Sequence, residues 1–194
     1  MTKKYELLKD DTKEYFGRTL YRIKALISFG AVVAGELGGY IEAEKNLDQS
    51  GNAWVCGNAE VYGNAWVSGD ARVYGNARVF GNARVFGDAR VYGNARVFGD
   101  ARVFGDARVF GNAEVRSCAI VSERKMIFWA SNIGSENGTL TVFNGKDGLI
   151  VTRGCFTGTV DEFLAKSAEV HDEKTKREYQ LLIEVAKSRI LGAD

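Results

Sequence analysis

Proline is absent from the 194-residue sequence, histidine occurs once, and cysteine occurs three times. A chain without proline gives up no backbone donor, which suits a fold whose N–H groups are nearly all committed to hydrogen-bonded ladders. Cys56, Cys118 and Cys155 are odd in number, far apart and never in C-x-x-C spacing. They support neither a disulfide framework nor a zinc site, and read as reduced structural thiols. No apolar run approaches the length of a membrane span, and the charged start Met-Thr-Lys-Lys lacks a signal-type apolar region. The expectation is a cytoplasmic chain. An excess of charge is missing too: 26 Lys and Arg face 25 Asp and Glu, for a net charge of +1. That excludes a general pull toward nucleic acid or anionic membrane, so a partner must be recognised locally.

What the sequence has in quantity is a repeat. Twelve consecutive hexads of the form G-[ND]-A-x-V-x run from Gly51 to Ser122 without an insertion. Within a hexad, Ala71 and Val73 alternate with Arg72 and Tyr74, the period of a strand with one buried face. Gly with Asn or Asp supplies the corner, because both tolerate positive φ. Six residues cannot bury their own valine, so the units must stack into a solenoid. This pattern resembles the hexapeptide-repeat, left-handed parallel β-helix family, which implies three hexads per eighteen-residue coil and coils stacked about 4.8 Å apart. Ile41 and Leu47 extend the inward phase upstream to Ala53, with Gln49 where valine belongs. A degenerate coil over 33–50 then brings the count to about five.

The flanks read differently. Tyr21, Ile23, Ala25 and Ile27 alternate with charged residues as a strand, and Tyr5–Leu8 pairs with it; the alternative for the first sixteen residues is a short amphipathic helix. After Ser122, strands are expected at 126–130, 139–143 and 149–152, the last two joined by the Asn144–Gly148 turn. Two capping boxes, Thr159–Glu162 and Thr175–Glu178, each open a helix. The expected fold is mainly β: an N-terminal β cap (1–32), a left-handed parallel β-helix (33–122) and a small, separate α+β domain of ββαα type (123–194).

The eighteen-residue period sorts the outward residues into three columns. The first face carries Arg72, Arg90 and Arg108 beside Tyr74, Tyr92 and Phe110, with Asp70, Asp88 and Asp106 at the preceding corners as carboxylate partners. The second carries Glu60, Arg78, Arg96 and Glu114 beside Tyr62, Phe80, Phe98 and Arg116, with asparagine at every corner. The third carries Trp66, Arg84 and Arg102 beside Phe86 and Phe104. Stacked ladders stabilise such an exterior by roughly 0.2–1 kcal/mol per pair. Three faces of aromatics exceed the apolar patch a monomer exposes, so a self-associating face or docking of the chain's own termini should cover part of them. Tyr74, Tyr92, Phe110, Phe86 and Phe104 are the candidate oligomer contacts. Arg78 and Arg96, without corner carboxylates, and Phe80 and Phe98 beside them, are the candidate site for a phosphate and a stacked base. The polar loop Gly134–Thr139 adds Ser135, Asn137 and Thr139 as a second candidate anion cradle, although it lacks a P-loop lysine.

Enzymatic chemistry has little to work with. Hexapeptide acyltransferases use a histidine on a projecting loop, and the related carbonic anhydrases need three for zinc; here the only histidine, His171, lies beyond an uninterrupted repeat. Cys155 and His171 form a conceivable nucleophile and base in the tail, but a dipole-favoured helix end is the better reading of His171. No catalytic residue, metal or cofactor is assigned. The stretches "LYRIKALISFGAVVAGELGGYIEAEKNL" and "GSENGTLTVF" to "GLIVTRGCFTGT" around the array resemble a group of phage and prophage hexapeptide-repeat proteins of unassigned function. That resemblance implies a bacterial cytoplasmic setting. The expected function is a non-enzymatic, self-associating protein, a dimer or trimer, that captures a nucleotide signal or a host defence protein. A scaffold module is the alternative, an enzyme acting through the tail the third reading, and extended nucleic-acid binding is disfavoured.

Overall fold

The computed structural model describes residues 3–192; the outermost two residues of the expected first and last segments lie outside it. Strands β1 (Tyr5–Tyr15) and β2 (Arg18–Ala25) form an antiparallel hairpin closed by Phe16 and Gly17, both at positive φ. Residues Tyr5–Tyr15 are therefore strand, and the helix alternative fails over the described part of this segment. Strand β3 (Leu37–Ile41) runs antiparallel to β2 and parallel to Glu60–Val61, passing the hairpin's hydrogen bonds on to the solenoid.

Twelve two-residue strands follow at six-residue intervals, from β4 (Trp54–Val55) to β15 (Ile120–Val121). Each up to Arg102–Val103 pairs in parallel with the strand eighteen residues on, as Arg72–Val73 does with Arg90–Val91 and that with Arg108–Val109. The result is a parallel β-solenoid of about five turns with three faces, as the spacing predicts. Every alanine and valine of the array from Ala53 to Val121 is at most 1% exposed. Each valine contributes roughly 1.5–3 kcal/mol by its burial, and no hexad could do this alone. The corners explain the glycines: Gly87 has φ +68°, and a Cβ there would lie 3.1 Å from the Gly105 nitrogen one coil below. Only the last corner departs, with Ser117 held at φ +59°.

The upper end is sealed by side chains standing in for missing backbone. Lys4 is 2% exposed and its ammonium donates to the carbonyls of Ser50, Gly51 and Ala53, while the Tyr5 hydroxyl donates to Leu47 O at 2.6 Å. Gln49, the residue that breaks the valine phase, accepts from the Lys4 N–H at 2.8 Å and donates to Tyr5 O. Its amide extends the ladder where valine could not. Asn46 does likewise toward Gly63 O and Ala65 O.

The lower end is closed by the C-terminal sheet, β16 (Ile127–Ile133), β17 (Gly138–Gly145), β18 (Gly148–Arg153) and β19 (Phe156–Thr159), all antiparallel neighbours. The sheet has one strand more than the apolar alternation indicates, because Phe-Thr-Gly-Thr offers a single apolar residue. Ile127 and Phe143 join the solenoid core itself, and Lys146 N–H donates to Cys118 O. This unit is thus docked on the last coil and carries its own second core under helices α1 (Val160–Val170) and α2 (Glu173–Leu191). The Thr159–Glu162 capping box forms as expected. The second helix begins earlier than its expected box, because the Asp172 carboxylate takes the Thr175 N–H at 2.8 Å and caps the helix itself.

Candidate functional site

The second face, expected to bind a phosphate and a base, is occupied by the protein's own groups. Arg78 is paired with Glu60 at 3.1 Å, donates to the Tyr15 hydroxyl at 3.0 Å and lies over the Tyr15 ring. Phe80 is sandwiched between Tyr62 at 5.0 Å and Phe98 at 4.7 Å, and Arg116 covers Phe98 at 5.6 Å. Arg96 is paired with Glu114 at 3.3 Å. A ring cannot stack on faces already stacked, and a phosphate would have to displace a carboxylate. Arg78, Phe80 and Phe98 are thus engaged by neighbouring groups of the chain, whereas Arg96, half exposed, also lines a polar cleft with Thr139 and Arg153. Lys13 adds a second cation to Glu60 at 3.4 Å, so the N-terminal hairpin clamps the upper part of this face. Arg116 donates to the carbonyls of Gly154 and Phe156, and Thr152 to Glu114 O, so the C-terminal sheet clamps the lower part.

On the first face the opposite holds. The carboxylate partners expected for Arg72, Arg90 and Arg108 are not within ion-pair distance among the described residues. Corner side chains interact along the stack instead: Asp70 accepts from Asn52 at 2.7 Å, and Asp106 faces Arg124 at 3.5 Å. In a solenoid the lateral neighbour of residue i lies at i±18, not at i±2. Arg90 therefore sits between Arg72 and Arg108 in direct strand register, an arrangement of like charges that costs stability. Tyr74, Tyr92 and Phe110 stack beside them at 4.8 and 4.9 Å, and Trp129 of β16 meets Phe110 edge-on at 4.3 Å.

The docked C-terminal unit turns the lower end of this face into a cleft of about 520 Å³. Tyr92, Phe110 and Trp129 form its aromatic wall, and Arg108, Arg124 and Arg189 supply three guanidinium groups. Of the three, only Arg124 has an ion-pair partner among the described residues, the half-open contact with Asp106. The arrangement combines a largely apolar wall with convergent, weakly compensated cations, which suits a ligand with a planar body and an anionic end. Arg124, Trp129, Val185 and Arg189 gave no repeat-based signal, since they come from the tail.

Among the described residues, no segment is packed over the third face. Trp66 is 39% exposed, Phe86 and Phe104 stack at 4.9 Å, and Arg84 and Arg102 have no carboxylate in ion-pair range among the described residues.

The Gly134–Thr139 loop already holds its anion: the Gly134 N–H donates to the Glu178 carboxylate of α2 at 2.9 Å. Its glycines make room for side chains, since a Cβ on Gly138 would overlap the Arg153 guanidinium. Asn137 turns the loop at φ +50°, Thr139 bonds Ser131 at 2.9 Å and reaches a polar cleft shared with Arg96, and Ser135 borders a separate cleft with Cys155 and His171. Cys118 and Cys155 are exposed rather than structural, whereas burial pushes the half-buried Cys56 thiol above its ordinary pKa.

No helix among the described residues is long and apolar enough to cross a membrane. A comparison with curated proteins finds no match. Residues 71–87, 77–91 and 89–103 match, in overlapping windows, the family described as the YdcK beta solenoid repeat. The centre of the array is thus similar in sequence to a beta-solenoid repeat family, in agreement with the parallel solenoid of about five turns that it builds.

Proposed function

We propose that the protein is a non-catalytic binding protein whose ligand is a small planar anion of the nucleotide class, held at the base of the first face. The observation that supports this reading is the stack of Arg72, Arg90 and Arg108 without carboxylate compensation, which ends in a cleft with Arg124, Arg189 and Trp129. Guanidinium groups would hold the phosphates, and the edges of Tyr92 and Phe110 with Trp129 would flank the ring. Calorimetric titration of the full chain with ADP, pyrophosphate and adenosine tests it. ADP should bind more tightly than either fragment, because each fragment meets half of the site. Equal affinity of ADP and adenosine, or no binding of ADP, would refute the reading.

Self-association belongs to the same proposal and is assigned to the third face, the one that no segment covers among the described residues. Both solenoid ends are sealed, which weighs against end-to-end growth and so against the scaffold alternative. Sedimentation of the full chain should show a closed oligomer that Phe86→Glu dissociates; unlimited growth with concentration would favour the scaffold. A bacterial cytoplasmic setting and capture of a host antiviral signal or defence protein rest on the sequence resemblance to phage proteins alone.

A further inference from the structure

A second cleft, of about 320 Å³, lies inside the C-terminal unit and shares no residue with the first-face cleft. Its walls are rings: Phe156 lies 5.4 Å from Phe163, Phe163 5.1 Å from Tyr179, and Tyr179 5.4 Å from His171. Two polar atoms among these rings are buried without a hydrogen-bond partner, the Ser167 hydroxyl oxygen and His171 Nδ1. Ser167 is 3% exposed and borders the cleft. A buried polar group without a partner is unfavourable by more than a made hydrogen bond is favourable, so two of them at one cavity mark a place where a ligand's polar atoms belong. Arg153 stands at the edge with its side chain 13% exposed. Its guanidinium donates to Tyr179 Oη at 3.2 Å and Ile133 O at 3.4 Å, and its carboxylate neighbour, the exposed Glu136, is 4.0 Å away. Lys166, engaged with Glu169 at 3.3 Å, lies at the rim.

We infer that this cleft binds a small aromatic carboxylate, its ring against Phe156, Phe163 and Tyr179 and its carboxylate accepting from Ser167 Oγ and Arg153. The volume is at the lower end of small-molecule sites, enough for one substituted ring. The inference stands independently of the first-face reading.

Nuclear magnetic resonance titration of the full chain with benzoate tests it, following the Ser167 amide and the His171 ring. Saturable shifts of both are expected. Ser167→Ala should weaken benzoate binding about tenfold or more, the effect of one hydrogen bond to a charged group. Its thermal midpoint should hold or rise, because the substitution removes an unpaired hydroxyl from a helix. Inorganic phosphate should bind more weakly than benzoate. Absence of saturable shifts, unchanged affinity in Ser167→Ala, or phosphate binding as tight as benzoate would each overturn the inference.

Discussion

The second and first faces of the solenoid are built from the same hexad, yet their arginines do opposite things. On the second face, Glu60 and Glu114 bracket Arg78 and Arg96 at eighteen-residue spacing, so both of these arginines have a carboxylate one coil away. On the first, three arginines stack on one another. A paired ladder stabilises the coil, whereas an unpaired one loses stability through like-charge repulsion. The unpaired ladder beside an open aromatic cleft is the feature on which the proposed ligand site rests.

This contrast can be broken from both sides. The largest effect is expected for Arg78→Ala, which leaves Glu60, itself only 7% exposed, with Lys13 alone and strips the cation from Tyr15. A loss of about 1–3 kcal/mol is expected, read by denaturant unfolding and below the 3–5 kcal/mol of a fully buried pair because Arg78 is half-buried. Arg90→Glu on the first face should do the reverse, adding about 0.5–1 kcal/mol by alternating the charges of Arg72, Glu and Arg108 while weakening ADP binding. Arg90→Ala should change stability by no more than about 0.5 kcal/mol. Equal destabilisation by Arg78→Ala and Arg90→Ala would erase the distinction between the faces.

A pH profile sharpens the comparison further, because the hairpin that clamps the second face is itself anchored by Lys4. Desolvation holds the Lys4 ammonium down at about 8, partly offset by Asp48, against an ordinary 10.5. Between those values the unfolded chain binds more protons, so stability rises as pH climbs from about 8 and is lost as pH falls back through 8. Burial, with neighbouring carboxylates, pushes the Tyr5 hydroxyl above its ordinary 10.0, so its contribution is present below pH 10 and declines above it. The thermal midpoint should therefore peak near pH 10, and Lys4→Met should flatten the rise on the alkaline side of pH 8. The smallest effect concerns the cysteines: Cys118 and Cys155 should react with a thiol reagent well before Cys56, with no change in unfolding midpoint.

Much of this fold is legible in the sequence because the hexad encodes it twice, in the inward Ala–Val alternation and in the glycine corners. The two closed ends are less so. Lys4, Asn46 and Gln49 look like polar residues at degenerate positions, and only the finished coil shows that their side chains complete a backbone ladder. The pairing of the arginines differs from the expected one for a geometric reason. A carboxylate two residues from an arginine reads as a partner along a strand, but here it sits at a corner and points along the stack. The correct signal, Glu60, Arg78, Arg96 and Glu114 down one column, is present at eighteen-residue spacing. Trp129, Arg124 and Arg189 could not be read at all, since only docking of the tail brings them to Arg108.

The division of labour between the faces is tested most directly by titrating ADP into Arg108→Ala and Arg78→Ala side by side, at a temperature where both remain folded. The account predicts an affinity loss of about tenfold or more for Arg108→Ala and wild-type affinity for Arg78→Ala. Loss of binding in Arg78→Ala with retention in Arg108→Ala would contradict it, and would return the ligand to the second face.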